Sequence, residues 1–165
     1  NPSIKMNKMF GGMQKHFQHK ANSVKCQMRF AIYLPKCASE SAPVPALYWL
    51  SGLTCTDENF VQKAGAQRIA EALGIAIVCP DTSPRGENVA DDENQSYDLG
   101  LGAGFYVNAT EQPWSDHYKM YDYIVDELPK LIEDNFPVSN KKSISGIIIK
   151  KAPLFKKAPP FYSRI

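Results

Sequence analysis

The sequence predicts an α/β fold with a mostly parallel sheet that begins with antiparallel strands. Two observations support this prediction. Strands and helices alternate from residue 46 onward, and two of the strands are nearly continuous apolar runs, as in parallel sheets that are buried on both faces. Before residue 36, the chain instead shows the two-residue alternation of a strand with one better-buried face. At 165 residues, the chain can form one domain with a sizeable core.

The early antiparallel strands are predicted from a turn and an alternating run. Gly11 and Gly12 indicate a hairpin turn between two strands. The second strand covers residues 26–34, and Pro35 ends it. Along this strand, large apolar side chains occupy every second position, and other residues lie between them: Met28, Phe30, Ile32 and Leu34 alternate with Arg29, Ala31 and Tyr33. We expect a polar surface loop over residues 36–44 to follow.

Residues 46–50 and 75–79 are the two apolar runs, and each predicts a strand of the parallel sheet. The segment between them predicts two short helical pieces. Asp57 is the predicted N-cap, Gly65 separates the pieces, and Gly74 lies where a glycine commonly ends a helix. Three side chains of the second piece are expected to face the core: Ile69, Ala70 and Leu73.

Residues 87–116 form a long segment without a regular pattern, acidic at first and then rich in glycine. Loops of this length are usually functional or disordered. The aromatic residues of this segment favour an ordered loop: Tyr97, Phe105, Tyr106 and Trp114. A helix is predicted from His117 to Asn135, and Pro129 is expected to kink or split it. A last buried strand is predicted over residues 143–149.

The composition describes a globular protein. Hydrophobic residues make up 44% of the chain, and no apolar run approaches the roughly 20 residues that span a membrane. The N-terminus has no apolar signal region, so we expect a cytoplasmic location. No two cysteines form a Cys-x-x-Cys pair, which argues against a zinc site. We therefore expect buried free thiols in a reducing compartment: Cys26, Cys37, Cys55 and Cys79.

Three stretches identify the family that the chain resembles: residues 47–56, residues 80–86 and residues 102–110. The sequences Leu-Tyr-Trp-Leu-Ser-Gly-Leu-Thr-Cys-Thr, Pro-Asp-Thr-Ser-Pro-Arg-Gly and Gly-Ala-Gly-Phe-Tyr-Val-Asn-Ala-Thr are similar to those of S-formylglutathione hydrolases, also called the esterase D family. The resemblance runs from about Phe10 to Gly146. It implies the α/β-hydrolase fold, of which this chain would form the N-terminal half.

The resemblance also implies a function. Members of the family are serine esterases that hydrolyse S-formylglutathione to formate and glutathione in formaldehyde detoxification, and they cleave small carboxylic esters as well. They need no cofactor, and no metal is expected here. Their partner is a small-molecule substrate, and they are cytoplasmic and often form homodimers. Composition and pattern alone do not indicate this substrate.

Residues after Gly146 differ from the rest of the chain. The net charge is +2, but residues 147–165 carry five basic side chains and no acidic one, so residues 1–146 carry −3. We assign residues 1–146 to the N-terminal part of one α/β-hydrolase domain and residues 147–165 to an unmatched basic tail. Five positive charges are weak evidence for binding to nucleic acid or to a membrane, so neither partner is expected.

The resemblance implies one functional group in this chain, the backbone N–H of Leu53, as a donor of the oxyanion hole. A physical argument agrees with it. A loop that leaves the C-terminal end of a buried strand can aim an N–H into a site, and Gly52 lets the backbone come close. The second donor is expected from the residue that follows the nucleophile.

The catalytic residues of the family have no counterpart in this sequence. The nucleophile elbow of the family, Gly-His-Ser-Met-Gly-Gly, begins at the glycine that matches Gly146, but here Ile147, Ile148 and Ile149 follow. The nucleophile Ser and the later Asp and His are therefore absent, and this 165-residue chain is predicted to be inactive. We interpret the tail as the product of a shifted frame or an incomplete gene, or as a real alternative terminus.

The missing elbow leaves an alternative function open: a catalytically dead fragment or a non-catalytic interaction domain. A half sheet would expose an unpaired edge and an apolar face, through which a partner could bind. A separate chain could also supply the missing half.

Other residues with reactive side chains have ordinary explanations. Ser51 and Ser145 lie outside any elbow, and Cys55 is expected to be a bystander. The histidines have no acid or cysteine at a diagnostic spacing: His16, His19 and His117. The acidic residues 91–93 are expected to form a solvated loop rather than a metal site. The glycine-rich residues 100–104 lack the spacing of a phosphate loop, so close backbone packing beside the site is expected.

Overall fold

The computed structural model describes residues 4–147, which form one six-stranded mixed sheet in the order β1-β2-β3-β5-β4-β6. The strands are β1 Lys5–Met9, β2 Gly12–Ala21, β3 Cys26–Leu34, β4 Val44–Leu50, β5 Ala76–Pro80 and β6 Val138–Gly146. Strands β1, β2 and β3 pair antiparallel, and β3 is also antiparallel to β5. Strands β5 and β6 pair parallel to β4. The prediction of antiparallel strands that lead into a parallel sheet is confirmed.

The hairpin between β1 and β2 turns at Phe10 and Gly11, both with positive φ (51° and 99°). The predicted turn at Gly11 and Gly12 was therefore one residue late, and it leads into β2, which was not predicted, rather than into the predicted strand over residues 26–34. Strand β3 has the predicted bounds. Its first half alternates buried and exposed residues as expected, but every residue from Phe30 to Leu34 is buried. The second half lies in the middle of the sheet, where both faces contribute to a core.

One long helix packs against the first face of the sheet. It consists of α3 Met120–Asp122, a π-helical turn Tyr123–Glu127 and α4 Leu128–Asn135. It begins later than the predicted start at His117, because Lys119 still forms a β-bridge with Asn108. The α-helical pattern is divided near Pro129, as predicted: the π-helical turn ends directly before α4, and Pro129 is the second residue of α4, where the first turn of a helix tolerates proline.

Two short helices pack against the second face, α1 Asp57–Lys63 and α2 Gln67–Leu73. Gly65 lies between them, and Gly74 ends α2 with a φ of 64°, both as predicted. The predicted inward face of α2 is wrong. Ala70 is buried, but Ile69 and Leu73 are 60% and 66% exposed. The inward positions of this two-turn helix are occupied by Gln67 and Ala70, so residues 69 and 73 point away from the sheet.

The N-cap of α1 is Thr56 rather than the predicted Asp57. The Thr56 hydroxyl accepts a hydrogen bond from the Glu58 N–H at 3.2 Å, and the Asn59 side chain accepts one from the Thr56 N–H at 2.8 Å. This reciprocal capping box satisfies two donors that the helix itself leaves unpaired. Asp57 is instead the first helical residue, and its carboxylate is buried.

Strand β6 begins earlier than the predicted strand over residues 143–149 and is not buried. Most of its residues are exposed, and it is one of the two edge strands of the sheet within residues 4–147. Residues 148 and 149 of the prediction, and most of the basic tail, lie outside the described residues.

The expectation that all four thiols are buried is only partly correct. All four cysteines are free, but Cys37 is exposed and Cys55 is half-buried. Burial raises the pKa of the thiols of Cys26 and Cys79. Among the residues that the structure describes, no helix is long and apolar enough to cross a bilayer.

Candidate functional site

The candidate site lies where β4 and β6 reach their C-terminal ends and the loop 51–56 leaves the sheet. Ser51 follows β4 directly, and the buried Gly52 and the half-buried Leu53 come next. The Gly52 carbonyl accepts a hydrogen bond from the Cys55 N–H at 3.2 Å. Since the C=O and N–H of a trans peptide point in opposite directions, the Leu53 N–H is directed away from this turn. Within residues 4–147 it donates to no acceptor.

The glycine-rich segment packs directly against this loop, as the sequence predicts. Gly104 has a φ of 68°, and a Cβ added to it would lie 3.1 Å from the Leu53 nitrogen. The Gly102 carbonyl accepts a hydrogen bond from the Thr54 N–H at 2.8 Å. Thr54 itself has a φ of 62°, which is uncommon for a β-branched residue. The loop is therefore held in a sparsely populated backbone conformation by its neighbours.

A second group of contacts comes from the loop after β5. Arg85 donates to the Cys55 carbonyl at 3.0 Å, and its Nε lies 3.0 Å from a carboxylate oxygen of Asp81. The Thr82 hydroxyl donates to the same Cys55 carbonyl. Burial raises the pKa of Asp81, although the charge and hydrogen bonds of Arg85 act in the opposite direction. The loop 51–56 is thus hydrogen-bonded to Arg85, which forms an ion pair with Asp81.

Two further hydrogen bonds complete the frame around the loop. The Tyr106 hydroxyl donates to the Ser51 carbonyl at 2.6 Å, and the Ser83 hydroxyl accepts from the Gly102 N–H at 2.7 Å. Burial raises the pKa of Tyr106 well above its ordinary value, so its hydroxyl stays a donor. Sequence spacing gives no signal for these partners; the only indication was that residues 80–86 follow a buried strand.

The end of β6 lies against the same loop. The Ile147 N–H donates to the Leu50 carbonyl at 3.0 Å, and a Cβ added to Gly52 would lie 3.1 Å from the Ile147 Cγ2. A Cβ at Gly146 would collide with the Leu50 carbonyl oxygen. Glycine is therefore required at position 146, whereas a Cβ at position 52 would only need a small shift of the Ile147 side chain. The residue after Gly146 lies next to the proposed oxyanion donor.

The serine and cysteine candidates remain without a base. Ser51 is buried at the start of the loop, and Ser145 is exposed on β6, paired in register with Trp49. Cys55 is half-buried and contributes its backbone to the loop. No described histidine is bonded to any of them.

The three histidines have partners that sequence spacing did not reveal. The His16 Nδ1 lies 3.3 Å from a buried carboxylate oxygen of Asp57, so the absence of a matching acid in the sequence was misleading. The His19 Nε2 lies 2.9 Å from the Tyr123 hydroxyl. The His117 Nδ1 lies 2.9 Å from the Val24 carbonyl, and the His117 backbone N–H donates to the Trp114 carbonyl, so His117 is the C-terminal cap of the short 3-10 helix Trp114–Asp116. His16 thus connects β2 with α1, His19 connects β2 with the long helix, and His117 is bonded to the turn between β2 and β3.

The acidic residues 91–93 make loop contacts. Asp91 accepts a hydrogen bond from the Leu101 N–H, and Asp92 accepts one from the Ser96 N–H, both at 3.0 Å. Hydrogen bonds from the side chain and then the backbone of Ser96, and one from the backbone of Asn94, lower the pKa of Asp92. Among residues 4–147, no group of three or more His, Cys, Asp or Glu side chains could hold a metal ion.

Comparisons with known proteins agree with this architecture. A family model described as Putative esterase matches residues 21–147. The S-formylglutathione hydrolases of Rattus norvegicus and Mus musculus are each 56% identical over 144 residues, which are 87% of this chain and 50% of each relative. The chain therefore spans about half the length of the curated relatives that it matches.

Solved structures give the same result. The S-formylglutathione hydrolase from Agrobacterium tumefaciens superposes with a TM-score of 0.84 and 47% identity, over 87% of this chain and 52% of that one. A ferulic acid esterase superposes with a TM-score of 0.63 at 17% identity, over 84% of this chain and 50% of that one. The second likeness concerns the fold alone.

Proposed function

We propose that this chain, which belongs to the putative esterase family and has the α/β-hydrolase fold, forms the N-terminal half of a serine-type hydrolase. Its substrates would be thioesters and carboxylic esters. S-formylglutathione, hydrolysed to formate and glutathione, is the proposed substrate because the relatives of highest identity named above are S-formylglutathione hydrolases. The proposed partner is this small molecule, the proposed location is cytoplasmic, and the proposed assembly of the full-length protein is a homodimer.

The observation that carries this proposal is the direction of the Leu53 N–H. Acyl transfer develops negative charge on the carbonyl oxygen, and a fixed N–H aimed at that oxygen stabilises the transition state. The Leu53 N–H is fixed by the Gly52–Cys55 turn and donates to no acceptor among the described residues. A single donor of this kind contributes about 3 kcal/mol.

The mechanism of the complete enzyme would need groups beyond those in this sequence. A serine attacks the acyl carbon, its proton passes to a histidine that an aspartate orients, and the thiol leaves with that proton. Water then attacks the acyl-enzyme and releases the acid. No Gly-x-Ser-x-Gly elbow occurs in the 165 residues. We therefore propose that this chain provides one oxyanion donor and has no turnover by itself.

The contribution of Leu53 can be measured in a chimera that joins residues 1–146 to the rat enzyme after the glycine that aligns with Gly146. Leu53→Pro removes the N–H, whereas the matched variant Leu53→Ala keeps it. We expect Leu53→Pro to lower kcat for S-formylglutathione by about 100-fold to 1,000-fold, and Leu53→Ala to lower it far less. Equal losses in the two folded variants would exclude the N–H as the donor.

A non-catalytic interaction domain is the second candidate function, and one observation favours it. Among residues 4–147, strand β6 pairs only with β4, and Ile144 on this strand and Ile147 directly after it are 52% and 56% exposed. An exposed edge strand with apolar side chains can pair with another chain. Gel filtration of the 165-residue protein distinguishes a defined complex, which favours this candidate, from a monomer or large aggregates, which do not.

A further inference from the structure

We propose that Arg85 is a positioning residue for the Leu53 N–H and that it acts through the carbonyl oxygen of Cys55. The proposal rests on the proposed function, because it concerns the donor that the loop would offer to a developing oxyanion. It assigns a role to a side chain that lies outside the loop 51–56 and that has no place in the nucleophile, base or acid steps.

The first link is the turn between Gly52 and Cys55. The Leu53 nitrogen and the Gly52 carbonyl belong to one planar peptide unit, so the direction of one determines the direction of the other. The hydrogen bond from the Cys55 N–H to the Gly52 carbonyl, at 3.2 Å, holds that unit. If Cys55 moves, this bond weakens, and the peptide that contains the Leu53 N–H becomes free to rotate.

The second link holds Cys55 itself. Its carbonyl oxygen accepts from the Arg85 guanidinium at 3.0 Å and from the Thr82 hydroxyl. The Nε of the same guanidinium lies 3.0 and 3.1 Å from the two carboxylate oxygens of Asp81. The Asp81 side chain is only 6% exposed, and the backbone N–H of Thr82 donates to it at 2.6 Å. Arg85 therefore connects a fixed buried carboxylate to the turn that orients Leu53.

The fork of arginine suits this double contact. One edge of the guanidinium reaches the carboxylate while another nitrogen reaches the carbonyl, and a lysine ammonium on a single stem has no such planar arrangement. Gly102 leaves space for the group, since a Cβ added there would lie 3.2 Å from an Arg85 terminal nitrogen. The positive φ of Thr54, 62°, indicates that the loop needs such external contacts to keep its conformation.

The test measures the direction of the Leu53 N–H directly. Residual dipolar couplings of the isotope-labelled 165-residue chain report the orientation of each backbone N–H vector. The variants are Arg85→Gln, which removes the charge, and Arg85→Lys, which keeps a charge for Asp81 but lacks the fork. Arg68→Gln, at an exposed position of α2, is the matched control.

We expect both Arg85 variants to change the Leu53 coupling by much more than they change the couplings of the N–H groups in β3 and β5. Arg68→Gln should leave the Leu53 coupling unchanged. Arg85→Lys separates positioning from stability: it should recover thermal stability relative to Arg85→Gln without recovering the Leu53 coupling. A Leu53 coupling that stays at its wild-type value in either folded Arg85 variant would overturn the proposal.

Titration with sodium formate, followed at the Leu53 amide resonance, adds a functional measurement. We expect the affinity for formate to fall by roughly tenfold or more in Arg85→Gln, as for the loss of one charge-assisted hydrogen bond. If wild-type Leu53 shows no response to formate, the proposed oxyanion donor fails, whereas the dipolar couplings still decide the role of Arg85. The two proposals can therefore fail separately.

Discussion

His19 is a buried titratable side chain in the main core. It lies on β2, stacks on Tyr123 with ring centroids 5.8 Å apart, and packs edge-on against Phe30. Its Nε2 contacts the Tyr123 hydroxyl. Burial lowers the pKa of His19, while the nearby carboxylate of Glu127 and a backbone contact act in the opposite direction. The neutral imidazole is therefore the form that the folded state favours.

This lowered pKa predicts a loss of stability in acid. Below the ordinary histidine pKa of about 6.5, the unfolded chain takes up a proton that folded His19 resists. The His19 contribution is thus fully present above about pH 6.5 and is lost as the pH falls toward the lower pKa of the folded state. Urea unfolding at about pH 7.5 and about pH 5.5 measures the loss. His19→Gln should reduce the difference between the two pH values, and an unchanged difference would assign it to other groups.

Individual residues of the candidate site could be predicted only where family resemblance or a backbone requirement indicated them. Gly74 follows from the left-handed conformation that ends a helix, and Gly52 from the close backbone approach expected in the loop after β4. The Arg85 contact with Cys55 depends on a tertiary approach over 30 positions, which no local pattern encodes. Ile69 and Leu73 fit a helical period equally well on the inner or the outer face, and the structure places them outside.

At the scale of elements, Glu127 ties the β2–β3 turn to the long helix. Its carboxylate accepts hydrogen bonds from the N–H groups of Asn22 and Ser23 at 2.6 and 2.7 Å, and from the Ser23 hydroxyl. Burial alone would raise the pKa of Glu127, but the hydrogen bonds from Ser23 and Asn22 outweigh it and lower the pKa. The ionised carboxylate is therefore the form that holds the turn.

Replacing this carboxylate tests its contribution to stability. Glu127→Gln removes the charge and one acceptor oxygen, so the two turn N–H groups compete for the one that remains. We expect the free energy of unfolding to fall by about 1–3 kcal/mol, as for hydrogen bonds to a charged group. Denaturant unfolding checks this value against Glu40→Gln, at an exposed loop position. A loss no larger than that of the control would show that the turn does not depend on the carboxylate.

Strands were predicted with correct bounds where the apolar pattern of the sequence matches the burial of the residues in the structure. Strand β3 has its predicted bounds because apolar alternation and Pro35 both mark it. Strand β6 was predicted to be buried, yet it is the outer strand of the described sheet, and its exposed serine and lysine residues are consistent with that position. The late start of the helix at Met120 follows from the bridge between Asn108 and Lys119, a contact outside the helical pattern.

For the molecule as a whole, the sheet order brings distant loops together. Because β5 pairs between β3 and β4, the loops after β4 and β5 leave neighbouring strands of the parallel sheet, and the end of β6 lies on the other side of β4. Ligand sites of α/β sheets commonly lie at such carboxyl ends. Alternation of strands and helices predicts the class of this sheet, but strand order comes from tertiary pairing and was implied only by family resemblance.

Turnover of S-formylglutathione should be measured for the 165-residue chain and for the chimera described above. The proposed function holds that residues 1–146 provide a correctly built half of an esterase, including one oxyanion donor, but no nucleophile. It predicts no turnover by the chain above a denatured control, and clear turnover by the chimera. Turnover by the chain itself, or a folded chimera without activity, would contradict the account.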